Sequence, residues 1–502
     1  MKLKNILKSN IVFVISLLAI LVVILAGIFS AETLDRWSAW MHSEIISNFG
    51  WFYLIATFLF LVFSLYMALS RYGHIKLGMD HEKPRFSYFG WASMLFAAGM
   101  GIGLIFWSVA EPMSHYMSPP GYIEAGSPEA AKFAMLHSFF HWGVHPWAVY
   151  IVMSLCIAYF SFRRGMPPLI SSCFYPLIGD RINGVAGYLI DILAVFATVF
   201  GIVTSLGLGA MQINSGLASI LPFEADIFST LVIIGIITVI FMGSSMAGLD
   251  RGMQIMSKGN VMLAVLLLAF MLLLGPTSMI LNVFISTVSD YITALFNISL
   301  TTNPFIGLEW TQDWTLFYWA WWISWSPFVG LFIASISRGR TIREFITGAL
   351  LIPTGLTFVW FSVFGGTAFS LELSNDANIA AAVAQDVSTG LFQLYAFYPF
   401  SEILTLITIL LLVIFFVTSA DAATFVLSLM TSRGKSDPPT GKKIVWGLTV
   451  SVTAAILLLA GGLEGLQRMA IAAALPFSAI MLLMCACLLR GLRYEFRYER
   501  KE

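Results

Sequence analysis

Apolar segments long enough to cross a lipid bilayer follow one another along almost the whole chain. They lie near residues 11–30, 50–70, 88–111, 137–162, 187–218, 226–247, 258–280, 314–335, 349–371, 401–430, 443–461 and 469–489. A helix needs about 20 apolar residues to cross a hydrocarbon core of roughly 30 Å, and its backbone must satisfy its own hydrogen bonds there. The sequence therefore predicts an all-α integral membrane protein with twelve transmembrane helices.

The basic residues in the loops support this count. If the N-terminus is cytoplasmic, 24 of the 27 Lys and Arg residues fall on the cytoplasmic side, which leaves only Arg36, Lys132 and Arg468 outside. Cytoplasmic loops of membrane proteins carry such an excess. The first apolar segment lacks a small-residue cleavage site, so we expect a retained helix rather than a signal peptide. The prediction is a multi-pass protein of the cytoplasmic membrane with both termini cytoplasmic.

The overall composition excludes an ordinary soluble domain. Hydrophobic residues make up 59% of the chain and charged residues only 11%, whereas soluble domains have about 25% charged residues. The net charge is zero, which gives no indication of a nucleic-acid partner. The cysteines, Cys156, Cys173, Cys485 and Cys487, lie in or beside apolar segments and show no disulfide or metal-ligand spacing.

Tryptophans are concentrated in the eighth segment. Trp322 follows Asp313 by nine residues, which places it about 13.5 Å along a helix and near the bilayer midplane. Tryptophan usually stays at the headgroup level, which is our expectation for Trp310 and Trp314. Trp321, Trp322 and Trp325 have spacings that share one helical face. They could form a wall for a cation that donates no hydrogen bonds, such as a quaternary ammonium, or pack between helices.

Glycines interrupt the third segment at alternate positions, Gly99, Gly101 and Gly103. Close packing against a neighbouring helix is one explanation. An unwound turn is the other, because glycine is a poor helix former. Irregular backbone at membrane depth is tolerated beside a cavity, where its carbonyl groups can bind an ion. The glycines alone do not decide between the two.

The fourth segment contains Trp142, Trp147 and Tyr150 around Pro146. A bend at the proline would bring Trp142 toward the face that Trp147 and Tyr150 share. His141 and His145 form an i, i+4 pair, for which we expect a structural role rather than zinc binding. Glu111 is expected to mark the outer end of the third segment.

The tenth segment contains the adjacent hydroxyls Thr418 and Ser419. They could complete the oxygen shell of a small cation or bond back to their own helix. Asp421, which follows, and Asp191 are functional candidates as intramembrane carboxylates, or they anchor helix packing. The connection 281–312 is predicted to form an amphipathic helix on the outer surface, and the connection 373–400 is small and polar.

Several of these motifs resemble the betaine/choline/carnitine transporter family. The string 313–322 is similar to that family's signature, 97–103 to its unwound third helix, 141–150 to its fourth helix and 337–341 to the basic turn after its eighth. The resemblance implies one transmembrane domain over 1–502 with a LeuT-like core of two inverted five-helix repeats. The repeats would be helices 3–7 (88–280) and 8–12 (313–490), with two peripheral helices (11–70) in front and the connection 281–312 between them.

The resemblance also implies two sites. The substrate site would be an aromatic box formed by Trp142, Trp147, Tyr150, Trp321, Trp322 and Trp325, with Met100, Gly101 and Gly103 beside it. The sodium site would use the carbonyls of Ala97, Met100 and Phe415 and the hydroxyls of Thr418 and Ser419. A second sodium site near Thr198 and Phe328 is doubtful, because Ile202 stands where some members have a second threonine.

The expected function is symport of glycine betaine or a related zwitterionic onium osmolyte with sodium, by alternating access and as a homotrimer. Proton-coupled choline members have an aspartate where this chain has Gly103. Without a fixed anion beside the box, a substrate with its own carboxylate is the better electrostatic match. The alternative is a proton-coupled or exchanging carrier for choline or carnitine. The sequence does not show the continuous polar pore that a channel needs. It also does not show the nucleophile–base pair or metal triad that an enzyme would need.

Overall fold

A computed structural model describes residues 2–99, 101–247, 250–302, 305, 307, 309–374 and 377–498. In this part of the chain the structure is all-α, apart from an isolated bridge between Lys76 and Thr341. The α-helices are α1 Lys2–Phe29, α2 Ala31–Leu69, α3 Tyr88–Gly99, α4 Ile102–Met117, α5 Pro128–Trp142, α6 Val144–Ala158, α7 Tyr175–Ile178, α8 Val185–Ile220, α9 Ile227–Ala247, α10 Asp250–Leu274, α11 Thr277–Ser299, α12 Leu316–Ile336, α13 Ile342–Leu373, α14 Ile379–Gln385, α15 Gly390–Tyr395, α16 Ser401–Met430 and α17 Thr440–Tyr498.

Membrane-spanning helices dominate the fold. Among the described residues, ten helices are long and apolar enough to cross a bilayer, which confirms a multi-pass membrane protein. This number differs from twelve because α3 and α4 are separate pieces, α10 offers only 258–274 as a shorter apolar helix, and α17 contains two predicted segments. It also includes α11, which was expected to lie on the outer surface. The count of twelve and the inverted repeats stay predictions.

Two of the long helical rods are interrupted at glycine. The chain is extended at Gly101, which precedes α4 with φ −134° and ψ 178°. In α17 the backbone is non-helical at Gly461 and Gly462, and the φ of 56° at Gly462 favours glycine. Of the two explanations for the glycines in this segment, the break near Gly101 favours the unwound turn over close packing of a continuous helix. The break in α17 falls at the end of the predicted segment 443–461.

A third break separates α5 from α6, at Gly143 rather than at the proline. Gly143 has φ −87° and ψ −137°, outside the helical region. Pro146 is the third residue of α6, within the first turn, where a missing backbone N–H costs no hydrogen bond. The prediction of a bend at Pro146 is therefore wrong, because the break lies at Gly143. The glycine ends one helix, and the proline is compatible with the start of the next.

Helices α6, α8 and α17 pack against α12 at the centre of the fold, and α4 and α16 pack against α8. Small residues permit close approach of the backbones, as at Gly201 of α8, where an added Cβ would lie 2.8 Å from the carbonyl carbon of Ser324 in α12. The connection 373–400 contains the short helices α14 and α15, which pack on α4. The interrupted α4 and α5–α6 rods thus meet α12 in the protein interior.

Candidate functional site

A cavity lies where the helix breaks meet α12. The aromatic residues predicted for the substrate site all line it. Among the described residues the lining is Gly101, Ile102, Gly103, Leu104, Trp142, Pro146, Trp147, Tyr150, Ser205, Trp321, Trp322, Trp325, Thr357 and Ser419. The structure therefore brings residues from six separate parts of the sequence to one pocket. Met100, which was predicted beside them, lies outside the described residues.

Aromatic rings form the wall of this cavity. Trp321 and Trp322 stack with ring centroids 4.6 Å apart and an angle of 16°. Trp142 meets Trp322 edge-on at 4.8 Å, and Tyr150 approaches Trp322 at 6.3 Å and 79°. Trp147 contacts Tyr150 at 5.6 Å. Such a set of ring faces and edges can surround a cation that has no hydrogen bonds to donate.

The break at Gly143 explains how Trp142 is held. A helix end leaves carbonyl groups without an intrahelical partner. Here the carbonyl of His141 accepts from Nε1 of Trp322 at 3.0 Å, and the carbonyl of Trp142 accepts from the Thr357 hydroxyl at 3.0 Å. The helix end is therefore bound to α12 and α13. An added Cβ at Gly143 would lie 2.5 Å from the Tyr291 hydroxyl, so the close approach requires glycine.

The N-terminus of α4 provides the polar side of the cavity. Gly101 stands before the helix and caps it without a side-chain hydrogen bond. The first N–H groups of a helix lack intrahelical acceptors, and the positive end of the helix dipole favours an anion there. The lining hydroxyls of Ser205, Thr357 and Ser419 add further polarity. The cavity thus has an aromatic wall suited to a cation and a helix end suited to a carboxylate.

Glu111 does not mark the end of its helix, as the sequence had suggested, because α4 continues to Met117. Its carboxylate is completely buried behind the aromatic wall. Oε2 accepts from Nε1 of Trp142 at 2.8 Å and from the Tyr318 hydroxyl at 2.5 Å. A fixed carboxylate therefore does lie beside the aromatic box, contrary to the expectation based on Gly103. The sequence did carry a signal for this carboxylate, which is a glutamate that precedes a proline in an apolar segment.

His141 and His145 do not share a site, because the break at Gly143 lies between them. Nδ1 of His141 lies 2.7 Å from Oε1 of Glu111, and Nε2 of His115 lies 3.2 Å from the same oxygen. His145 instead contacts the Ser299 hydroxyl at 2.9 Å. Glu111, His115 and His141 place potential metal-ligand atoms within 4.8 Å of one another. The sequence had indicated no metal triad, and the structure does bring three potential ligands together here, although hydrogen bonds alone account for this arrangement.

Trp310 and Trp314 were expected at the headgroup level, but both pack on the histidines. The ring of Trp314 lies 4.4 Å from that of His115 and 5.5 Å from that of Trp107. The ring of Trp310 lies 4.8 Å from that of His115. Both are partly covered, so they extend the aromatic cluster around His115, and their depth in the membrane stays a prediction.

The predicted sodium ligands are only partly described. Phe415, Thr418 and Ser419 follow one another on α16, and Ser419 reaches the cavity. The Thr418 hydroxyl donates to the carbonyl of Ile414 at 2.8 Å, which is the bonding expected within a helix. Met100 lies outside the described residues, as does the side chain of Ala97, whose backbone belongs to α3. The sodium site therefore stays a prediction.

The two residues named for a second sodium site make the following contacts, and that site stays a prediction. The Thr198 hydroxyl donates to the carbonyl of Ala194 at 2.6 Å in its own helix, and Phe328 packs edge-on against Trp325 at 5.3 Å. Asp191, another candidate, accepts from the N–H and hydroxyl of Ser171 at 2.9 and 2.8 Å. These contacts give Asp191 a structural role in holding the turn that begins at Ser171.

A multi-pass helical protein with an aromatic-lined cavity between interrupted helices has the construction of a membrane transporter. Comparison with known proteins agrees. The family described as BCCT, betaine/carnitine/choline family transporter, matches residues 11–497. The chain therefore belongs to the BCCT family, as its motifs had indicated.

Individual relatives match over nearly their full lengths. The glycine betaine transporter OpuD of Bacillus subtilis is 47% identical over 482 residues, which is 95% of this chain and 93% of that protein. A probable glycine betaine transporter of Desulfitobacterium hafniense is 45% identical, over 97% of this chain and 98% of its own. The ectoine/hydroxyectoine transporter of Virgibacillus pantothenticus is 43% identical, over 96% of both chains.

Proposed function

We propose that this protein imports glycine betaine, or a closely related zwitterionic onium osmolyte, together with sodium. The cavity lined by Trp142, Trp147, Tyr150, Trp321 and Trp322 carries the proposal. A quaternary ammonium fits the aromatic wall, and a carboxylate fits the N-terminus of α4. The names of two relatives, both glycine betaine transporters, support the same substrate class.

The transport mechanism proposed is alternating access, in which the two predicted repeats rock around a site at the middle of the membrane. Sodium would bind between the broken α3–α4 rod and the hydroxyls of Thr418 and Ser419 on α16. We further propose a homotrimer in the cytoplasmic membrane with both termini in the cytoplasm, as in the family that this chain resembles.

Energetics are compatible with coupling to one sodium ion. A tenfold sodium gradient contributes about 1.4 kcal/mol and a membrane potential of about 100 mV adds roughly 2.3 kcal/mol per charge. Together they could concentrate a neutral zwitterion by about 500-fold. That is sufficient for a nutrient or for moderate accumulation of an osmolyte.

Uptake of labelled glycine betaine into proteoliposomes tests the proposal. An inward sodium gradient should drive accumulation, whereas an equal potassium gradient with the same membrane potential should not. Unlabelled betaine, ectoine, choline and carnitine then compete for uptake and rank the substrates. Accumulation driven by a proton gradient without sodium, or choline exchange without any gradient, would favour the alternative carrier and contradict sodium symport.

A further inference from the structure

The carboxylate of Glu111 is completely buried, yet its partners are uncharged or only weakly basic. Among the described residues, its Oε2 accepts hydrogen bonds from Trp142 and Tyr318. Its Oε1 lies within hydrogen-bonding distance of ring nitrogens of His141 and His115, each of which donates in the tautomer that carries its proton on that nitrogen. Buried carboxylates are expensive unless they are hydrogen-bonded. These groups can all donate to a carboxylate, so they can stabilise Glu111 as an anion.

We propose that Glu111 is the fixed anion of the candidate substrate site. It orients the Trp142 indole, and its negative charge favours the cationic group of the substrate. The proposal rests on the proposed function, since it assumes that an onium group occupies the aromatic cavity. Glu111 does not line that cavity, so it is a positioning residue, which acts on the ligand through Trp142 and through its charge.

The Trp142 ring stands between the carboxylate and the cavity. Its Nε1 edge donates to Glu111. Its opposite edge approaches Gly103, where Cη2 lies 3.1 Å from the position that a Cβ would occupy. A hydrogen bond to an anion polarises the indole and makes its face more negative. The ring therefore presents an electron-rich surface to the cavity, in an orientation that Glu111 sets.

The charge also acts directly over a short distance. A cation on the far face of the indole would lie on the order of 8 Å from the carboxylate, and at that separation an anion in an effective dielectric of about 20 strengthens cation binding by roughly thirtyfold. A substrate carboxylate at the N-terminus of α4 would offset part of this attraction. The benefit should therefore rise with the net positive charge of the ligand.

The Glu111→Gln variant removes the charge while keeping the shape. The glutamine oxygen can still accept from Trp142 and Tyr318, and its amide group can donate to His141 and His115 after each imidazole adopts its other tautomer. Tyr318→Phe is the matched control, because it removes one donor but keeps the carboxylate. Glu402→Gln makes the same chemical change at an exposed position on α16.

Binding is measured for three ligands of similar size, which are choline, glycine betaine and 3,3-dimethylbutanoate. They carry net charges of about +1, 0 and −1 at neutral pH. In Glu111→Gln we expect choline to lose about thirtyfold in affinity, betaine about tenfold and the butanoate nothing or a gain. In Tyr318→Phe the ligands should change by equal and smaller factors, and in Glu402→Gln they should not change.

Equal losses for every ligand that binds the wild type would overturn the proposal, because they indicate structural damage. A betaine loss no greater than that of Tyr318→Phe would also overturn it. If Glu111→Gln does not fold, the double variant Glu111→Gln/Tyr318→Phe is compared with Tyr318→Phe by the same criteria. A wild-type protein that binds none of the three ligands contradicts the proposed function itself, which is a distinguishable result.

Discussion

Gly103 lies against the edge of the Trp321 indole so closely that an added Cβ would be 2.4 Å from Cη2 of the ring. The ring cannot easily move away. It stacks on Trp322 at 4.6 Å and on Phe317 at 5.6 Å, and its Nε1 donates to the carbonyl of Gly201 at 3.3 Å. The contact joins the broken α4 to the aromatic wall of α12, so the shape of the cavity depends on glycine at this position.

Gly103→Ala should therefore lower substrate affinity by at least tenfold, because overpacking costs about 1–3 kcal/mol. Gly235→Ala is the control, because Gly235 lies on α9, does not line the cavity, and an added Cβ there meets nothing within 4 Å. Betaine binding by titration calorimetry checks both variants, and a Gly103→Ala protein with wild-type affinity would contradict the structure.

Trp322→Ala should weaken betaine binding by roughly thirtyfold, since a desolvated cation–π contact contributes about 2 kcal/mol or more. Trp322→Phe should retain more affinity than Trp322→Leu, because only the first keeps an aromatic face. Trp314 is unsuitable as the control, because it packs against His115. Trp37, which is 61% exposed, is the better one. Equal losses in Trp322→Ala and Trp37→Ala would exclude the aromatic wall as the binding surface.

The sequence predicted the helical membrane fold and the members of the aromatic cavity, for physical reasons that act locally. Spanning length and apolar composition depend on each segment alone, and the spacing of Trp321, Trp322 and Trp325 follows from the helical repeat. The motif resemblance brought Trp142, Trp147 and Tyr150 to the same site, and the structure places all of them there.

Contacts between distant segments were not predictable in the same way. The four hydrogen bonds that Glu111 accepts among the described residues join three different helices, and nothing in the spacing around Glu111 specifies those partners. The helix break was placed at Pro146 because proline is the stronger helix breaker. It occurs at Gly143 instead, where donors from neighbouring helices bond to the carbonyl groups that the break leaves without an intrahelical partner. That error also kept His141 and His145 together as a pair.

Removing Arg163 should destabilise the protein at the end that the basic loops predict to be cytoplasmic. Arg163 and Glu495 are 10% and 2% exposed and approach within 2.5 Å. Breaking a buried pair leaves an uncompensated charge, so Arg163→Met should lower the free energy of unfolding by about 3 kcal/mol. The exposed Arg338, 49% accessible and paired with Glu82, provides the control.

Arg338→Met should cost less than about 1 kcal/mol, because exposed ion pairs contribute little. Unfolding in a denaturing detergent, followed by circular dichroism, measures both variants against the wild type. Similar destabilisation by the two substitutions would mean that burial of Glu495 does not determine the contribution of Arg163.

Sodium coupling is tested by replacing Thr418 and Ser419 together with alanine. If both hydroxyls complete a sodium shell with three carbonyls, the double variant loses two of five oxygens, and its half-saturation for sodium should rise at least tenfold. Betaine affinity at saturating sodium should change much less, because the ion and the substrate are coupled through linkage. Betaine binding measured across a sodium titration gives both quantities.

The observed bond from Thr418 to the carbonyl of Ile414 supports the competing explanation, that the hydroxyls only bond within α16. That explanation predicts a small loss of stability and an unchanged half-saturation for sodium, a result that would exclude these two residues as ligands of the ion.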